Sequence, residues 1–104
     1  MSVKSFSTLD ELRYAAEQGD PNAQSELGWR HHKGEGVPKD FGEALKWYRK
    51  AAEQDEPSAQ NRIGVCYETG EGVEQDFAQA ILWYRKAAQQ GESKALNNLG
   101  ACYE

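Results

Sequence analysis

Residues 40–52 read DFGEALKWYRKAA, and residues 76–88, one period of 36 further on, read DFAQAILWYRKAA. In each stretch apolar side chains fall at i, i+3, i+4, i+7 and i+11. They are Phe41, Ala44, Leu45, Tyr48 and Ala52, then Phe77, Ala80, Ile81, Tyr84 and Ala88. That spacing lines one stripe of an α-helix and cannot line one face of a strand. Asp40 with Glu43, and Asp76 with Gln79, have capping-box spacing, so each helix is expected to begin just after its aspartate. Working outward, residues 21–56 and 57–92 align without a gap and share 19 of 36 residues. Each unit opens with a first helix at Pro21 or Pro57, because proline suits the first helical turn. That helix stops at Gly34 and Gly36, or at Gly70 and Gly72, where glycine tolerates the left-handed backbone that closes helices. No stretch alternates with period two, so the predicted class is all-α.

Residues 5–20 match only the second half of a unit, with Thr8 and Glu11 as a capping box ahead of Leu9, Leu12, Ala15 and Ala16. Residues 93–104 match only the first half. The expected organisation is a single repeat domain over 1–104: a half repeat at 5–20, full repeats at 21–56 and 57–92, and a half repeat at 93–104. Repeats of this length cannot bury their apolar faces alone and must stack on their neighbours.

These motifs resemble the Sel-one-like repeat, a relative of the tetratricopeptide repeat. The matching elements are A-Q-x-x-[LI]-G from Ala23 and Ala59, G-E-G-V from Gly34 and Gly70, the D-F pairs, and A-[LI]-x-W-Y-R-K-A-A from Ala44 and Ala80. The resemblance implies a right-handed superhelical solenoid of antiparallel helix pairs. It also implies a non-catalytic adaptor or scaffold role, with the first helix of each pair lining the concave surface. A further Gly-x-Gly loop and second helix would be expected beyond Glu104. Cysteine-rich members carry two bridged cysteines per repeat. Here Cys66 and Cys102 occupy one slot in successive units.

Composition narrows the function. A chain of 104 residues is one small domain, too short for a two-domain enzyme. Twelve basic against 17 acidic residues leave a net charge of −5, the wrong sign for a nucleic-acid face. Mean hydropathy is −0.87, and no apolar run approaches the roughly 20 residues that span a bilayer. The opening MSVKSFSTLDEL has no signal-peptide core. A cytoplasmic protein with reduced cysteines is expected. Helices in neighbouring repeats lie roughly 8–10 Å apart, beyond disulfide reach, so Cys66 and Cys102 are read as small core residues.

No catalytic residue, metal site or cofactor is expected. His31 and His32 are adjacent and point about 100° apart on a helix, whereas helical ligand pairs need i, i+3 or i, i+4 spacing. His31 fills the slot of Tyr67 and Tyr103, so it is expected to pack. The Gly-Glu-Gly loops lack the lysine and third glycine of phosphate-binding motifs and carry glutamate, which repels anions. Trp47 and Trp83 flank the apolar stripe and are read as packing between units.

Trp29 stands apart. With Ala23 at 0° and about 100° per residue, Leu27 and His31 fall at about 40° and 80° on the buried side. Trp29 falls at about 240°, beside Asn22, Ser25, His32 and Lys33. The next units add Ser58, Asn61, Val65, Glu68 and Thr69, then Lys94, Asn97 and Ala101. The predicted partner-binding residues are therefore Asn22, Ser25, Trp29, His32, Lys33, Asn61, Val65, Glu68, Lys94 and Asn97. Three first helices at roughly 10 Å spacing give a groove about 20–30 Å long. At about 3.3 Å per residue that holds six to nine residues of extended peptide, or a short helix. The expected function is an interaction module binding another protein or peptide, with no nucleic acid and no membrane. The alternative is a self-assembling structural protein, a homodimer joined through its last helix, where Leu99 and Tyr103 form the edge.

Overall fold

The caps that punctuate the sequence place the helices. In the computed structural model, which describes residues 8–102, these are α1 (Leu9–Glu17), α2 (Pro21–Lys33), α3 (Phe41–Ala52), α4 (Pro57–Thr69), α5 (Phe77–Ala88) and α6 (Ser93–Cys102). No strand occurs among the described residues. The side chains of Thr8, Asp40 and Asp76 accept from the backbone N–H of Glu11, Glu43 and Gln79, each at 3.1 Å. These are orphan donors of a first helical turn, and satisfying them contributes about 1 kcal/mol per cap. Pro21 and Pro57 occupy the first turns of α2 and α4. Gly34 and Gly70 close those helices with φ of 76° and 78°.

Each helix packs on its neighbours in the chain, α1 on α2 through α5 on α6, in an elongated stack of 45 × 28 × 18 Å. One core cluster joins Leu12 and Ala16 of α1 to Ala23 and Leu27 of α2, with Trp47 of α3 against it. A second joins Ala44, Leu45, Tyr48, Ala51 and Ala52 of α3 to Ala59, Ile63 and Cys66 of α4, with Trp83 of α5 against it. Trp47 and Trp83 thus pack backward onto the preceding unit. His31 is buried, with Nδ1 3.3 Å from the Pro38 carbonyl. Cys66 is a free, buried thiol, and burial pushes its pKa up to about 11, so no thiolate forms near neutrality. The Cys102 side chain and Tyr103 lie outside the described residues.

Within a hairpin the helices touch backbone to ring. A methyl group added to Gly28 would stand 2.7 Å from the Tyr48 ring, and one on Gly64 would stand 2.5 Å from the Tyr84 ring. Both tyrosines are fully buried. Buried amides then tie the two ends of each full unit together and, through Gln24, tie the first full unit to α1. Gln24 donates to the Ala16 carbonyl at 3.1 Å and accepts from Gln54 at 3.0 Å, while Gln60 accepts from Gln90 at 2.8 Å.

The last pair departs from the expected stripe. Phe77, aligned with half-buried Phe41, is 57% exposed. The reason is the loop of the following unit: Gly72 lies so close to Phe41 that a methyl there would stand 2.9 Å from its carbonyl oxygen. No described loop covers Phe77 in that way.

The glycine contacts lead to opposite outcomes for one substitution. Gly64→Ala should destabilise the protein by about 1–3 kcal/mol through overpacking, outweighing the ~1 kcal/mol gain in helix propensity. Gly100→Ala, which meets nothing within 4 Å, should stabilise by up to ~1 kcal/mol. Urea denaturation of both variants checks the contrast, and a Gly64→Ala protein as stable as wild type would contradict the close approach.

Candidate protein-binding groove

The outward slot next to each hairpin tyrosine holds His32 in the first full unit and Glu68 in the second. Tyr84 donates from its hydroxyl to Glu68 Oε1 at 2.5 Å. The Tyr48 hydroxyl stands 3.5 Å from His32 Nδ1, and His32 Nε2 stands 3.1 Å from Glu71 Oε1. Glu71 sits between the two glycines of the second Gly-Glu-Gly loop, so His32 joins one unit to the loop of the next. That distance suits an ion pair, but desolvation by the surrounding rings outweighs the pull of Glu71. The His32 pKa therefore lies below 6.5, with Arg62 and Lys33 lowering it further. The neutral ring with its proton on Nε2 satisfies both contacts, donating to Glu71 and accepting from Tyr48. Burial likewise raises the Tyr48 pKa and keeps the phenol protonated.

Trp29 projects beside this staple. Its ring centroid lies 5.9 Å from that of His32, 4.8 Å from Lys33 Nζ and 4.0 Å from the Arg62 guanidinium carbon. Arg62 comes from α4, so the cation–π contact crosses between units. The indole is half-buried and borders an open cleft of about 530 Å³. Asn22, Ser25, Glu26 and Trp29 of α2, Ser58 and Arg62 of α4, Lys94 of α6, and Glu56 just before α4 line it. A smaller recess of about 70 Å³ adjoins it, bounded by Ser58, Asn61, Arg62, Glu92 and Lys94.

Of the expected groove residues, the structure gathers Asn22, Ser25, Trp29 and Lys94 around one cleft, with Lys33 at the edge of the indole. Others serve the interior. Asn61, expected on the open face, is only 3% exposed, and its Oδ1 accepts from Asn98 Nδ2 at 2.9 Å, bridging α4 to α6. His32 is taken by the staple and Glu68 by Tyr84. Val65 is half-buried and Asn97 exposed, and neither lines the cleft. Sequence reasoning missed Arg62, Glu26 and Glu56. Arg62 and Glu26 share a slot at about 300° on the helical wheel, just past the arc assigned to the groove. The signal was the opposite charge at equivalent positions. The remaining carboxylates cap helices: Glu56 accepts from Ser58 N at 2.8 Å, and Glu92 from Lys94 N at 3.2 Å. Among the described residues, no three His, Cys, Asp or Glu side chains converge as metal ligands. No described helix is long and apolar enough to cross a membrane.

Stacked antiparallel helix pairs with a cleft across their first helices define a helical-repeat solenoid. The chain belongs to the Sel1 repeat family, whose model matches residues 21–56, 57–92 and 93–104. Among solved structures, a protective antigen of uropathogenic Escherichia coli strains with an SLR fold is 44% identical, with a TM-score of 0.88 over 91% of this chain and 20% of that one. A Sel1 repeat protein from Oxalobacter formigenes is 38% identical, with a TM-score of 0.82 over 88% of this chain and 39% of that one. Cysteine rich protein B of Helicobacter pylori is 28% identical, with a TM-score of 0.79 over 86% of this chain and 68% of that one. The secretory immunoglobulin A-binding protein EsiB of Escherichia coli O6:H1 is 46% identical over 42 residues, 40% of this chain and 9% of EsiB. The chain thus spans a small part of the curated relative it matches. Sel1 repeats are generally non-catalytic protein-interaction or scaffold modules.

The staple sets a pH dependence. Because the folded pKa of His32 lies below 6.5, the unfolded chain binds more protons between those two values. Folding stability is therefore lost as pH falls from about 6.5 through the folded pKa. An NMR titration of His32 should give a midpoint below 6.5, and His32→Gln should flatten the decline in stability between about pH 7 and pH 5. A midpoint at or above 6.5 would contradict the balance of forces described.

Proposed function

We propose that the chain is a non-catalytic interaction module that holds a peptide segment of a protein partner across its first helices. The observation that carries this reading is Trp29, a half-buried indole held by Arg62 at the edge of an open cleft. The equivalent slots hold Val65 and Ala101, so the scaffold itself does not require tryptophan there. Tryptophan and arginine are over-represented among residues that dominate binding energy, and the indole keeps a polar edge for a surface that is wet until occupied. Asn22 and Ser25 supply hydrogen bonds to a backbone, while Asn61 is excluded from that role by its bond to Asn98. EsiB, which shares 42 aligned residues, is named for binding another protein, and this supports a protein partner over a small molecule. A cytoplasmic setting belongs to the same reading and is supported by the unpaired thiol of Cys66.

A second reading, self-association through α6, draws on exposed apolar groups. Leu96 is 52% exposed, and Leu99 is half-buried where the aligned Ile63 is fully buried. It predicts a dimer in sedimentation, dissociated by Leu96→Glu with Leu99→Glu; a monomer at about 100 µM, a concentration that would fill a micromolar interface, removes it.

For the groove, peptides selected from a random phage-displayed library on the wild-type protein should lose at least tenfold affinity to Trp29→Ala. Circular dichroism and urea midpoints establish that the variant is folded. Peptides indifferent to Trp29→Ala, or a library yielding no binders, would overturn the groove reading.

A further inference from the structure

Two acidic and two basic side chains line the cleft and Glu92 adds a third carboxylate in the recess, but acids and bases are not equally free. Glu26 is committed to Arg30 at 3.1 Å on its own helix. Glu56 and Glu92 cap α4 and α6 through backbone N–H groups, and Glu92 also accepts from Ser58 Oγ at 3.4 Å. The cations have no such partners. Arg62 touches the Trp29 ring and forms no ion pair among the described residues, and Lys94 forms none either. Arg62 and Lys94 both border the main cleft and the adjoining recess.

From this imbalance we infer that the groove selects an acidic peptide. The side-chain carboxylate of an Asp or Glu would enter the small recess between Arg62 and Lys94, while a neighbouring apolar residue would rest on Trp29. The inference rests on the groove reading above and adds the chemistry of the ligand. The size of the recess argues for a side chain rather than a chain end. The recess of about 70 Å³ admits a single short side chain, whereas the cleft of about 530 Å³ beside it admits the backbone. A guanidinium presents forked donors that match a carboxylate, and Arg62 is already oriented by its contact with Trp29, so less side-chain freedom is lost on binding. A phosphate-bearing ligand fits less well, because the carboxylate of Glu92 lines the recess and would repel its greater charge.

The test uses the same library and then synthetic fluorescein-labelled peptides made from the consensus. The enriched peptides should carry Asp or Glu within two positions of an aromatic or aliphatic residue. Converting that acid to its amide should weaken binding about tenfold, and raising salt from about 50 to 500 mM should weaken the acidic peptide more than its amide, since exposed charges are screened. Lys94→Gln should weaken the acidic peptide about tenfold and leave the amide peptide unchanged, whereas Arg62→Gln, which also removes the contact that holds Trp29, should weaken both. Because Arg62 also supports Trp29, Lys94→Gln is the decisive variant; Lys94 is exposed and forms no ion pair among the described residues. A neutral or basic consensus overturns the acidic assignment. So does equal binding of acid and amide, or indifference to Lys94→Gln. Loss of binding on amidating the peptide C-terminus would replace the side chain with a chain end and overturn the inference in its stated form. In all these outcomes sensitivity to Trp29→Ala would leave the groove itself standing, whereas its absence would remove both.

Discussion

The contact that sets the geometry of this protein is a tyrosine ring lying on a glycine. At Gly28 and Gly64 the first helix of each pair comes so near the second that even one methyl group would strike Tyr48 or Tyr84. Large aromatic surfaces are buried without separating the helix axes, because the ring occupies the space a side chain would have taken. The tyrosine also spans the hairpin, so its hydroxyl emerges beside the outer surface of the first helix. There it meets His32 in one unit and Glu68 in the next. The polar end of a core residue thus helps order the rim of the groove.

Stacking between hairpins relies on different chemistry. Alanines at 23, 51, 52 and 59 allow close helix approach, and Trp47 and Trp83 fill the gaps backward toward the preceding unit. Buried Gln24 adds a directional bond to the Ala16 carbonyl of α1, where apolar packing alone would permit sliding. The Gly-Glu-Gly loop is a connector whose glutamate reaches the previous unit: Glu71 meets His32, and Gly72 presses on Phe41. Its glycines serve close approach and positive φ. Trp29 gains its position from this arrangement, since the Arg62 that holds it belongs to the next unit.

The same packing fixes the state of the buried thiol and the histidines. Cys66, the one free thiol among the described residues, is held protonated by burial, and the histidines are engaged with Pro38 in one case and with Glu71 and Tyr48 in the other. An indole, two cations, two carboxylates and a few small polar groups line the cleft. Sel1 repeats in general serve as interaction or scaffold modules.

Helix number, class, caps and period were legible in the linear chain because they depend on local spacing: Asp40 to Glu43, Pro21 to Gly34, and a repeat that superimposes position on position. Membership of the family followed from the same residues. Burial along the first helices was legible only where the helical wheel is clear, as for Leu27, His31 and Trp29. The wheel failed at Asn61 and Arg62. It assigns each residue an angle on its own helix and knows nothing of the helix that will lie beside it. Asn98 of α6 draws Asn61 into the interior, and Trp29 of α2 draws Arg62 onto the groove. Contacts across units, between residues more than thirty positions apart, arise from how the pairs stack. Which charges are satisfied and which stay free is therefore a property of the assembled stack, beyond the reach of any single helix.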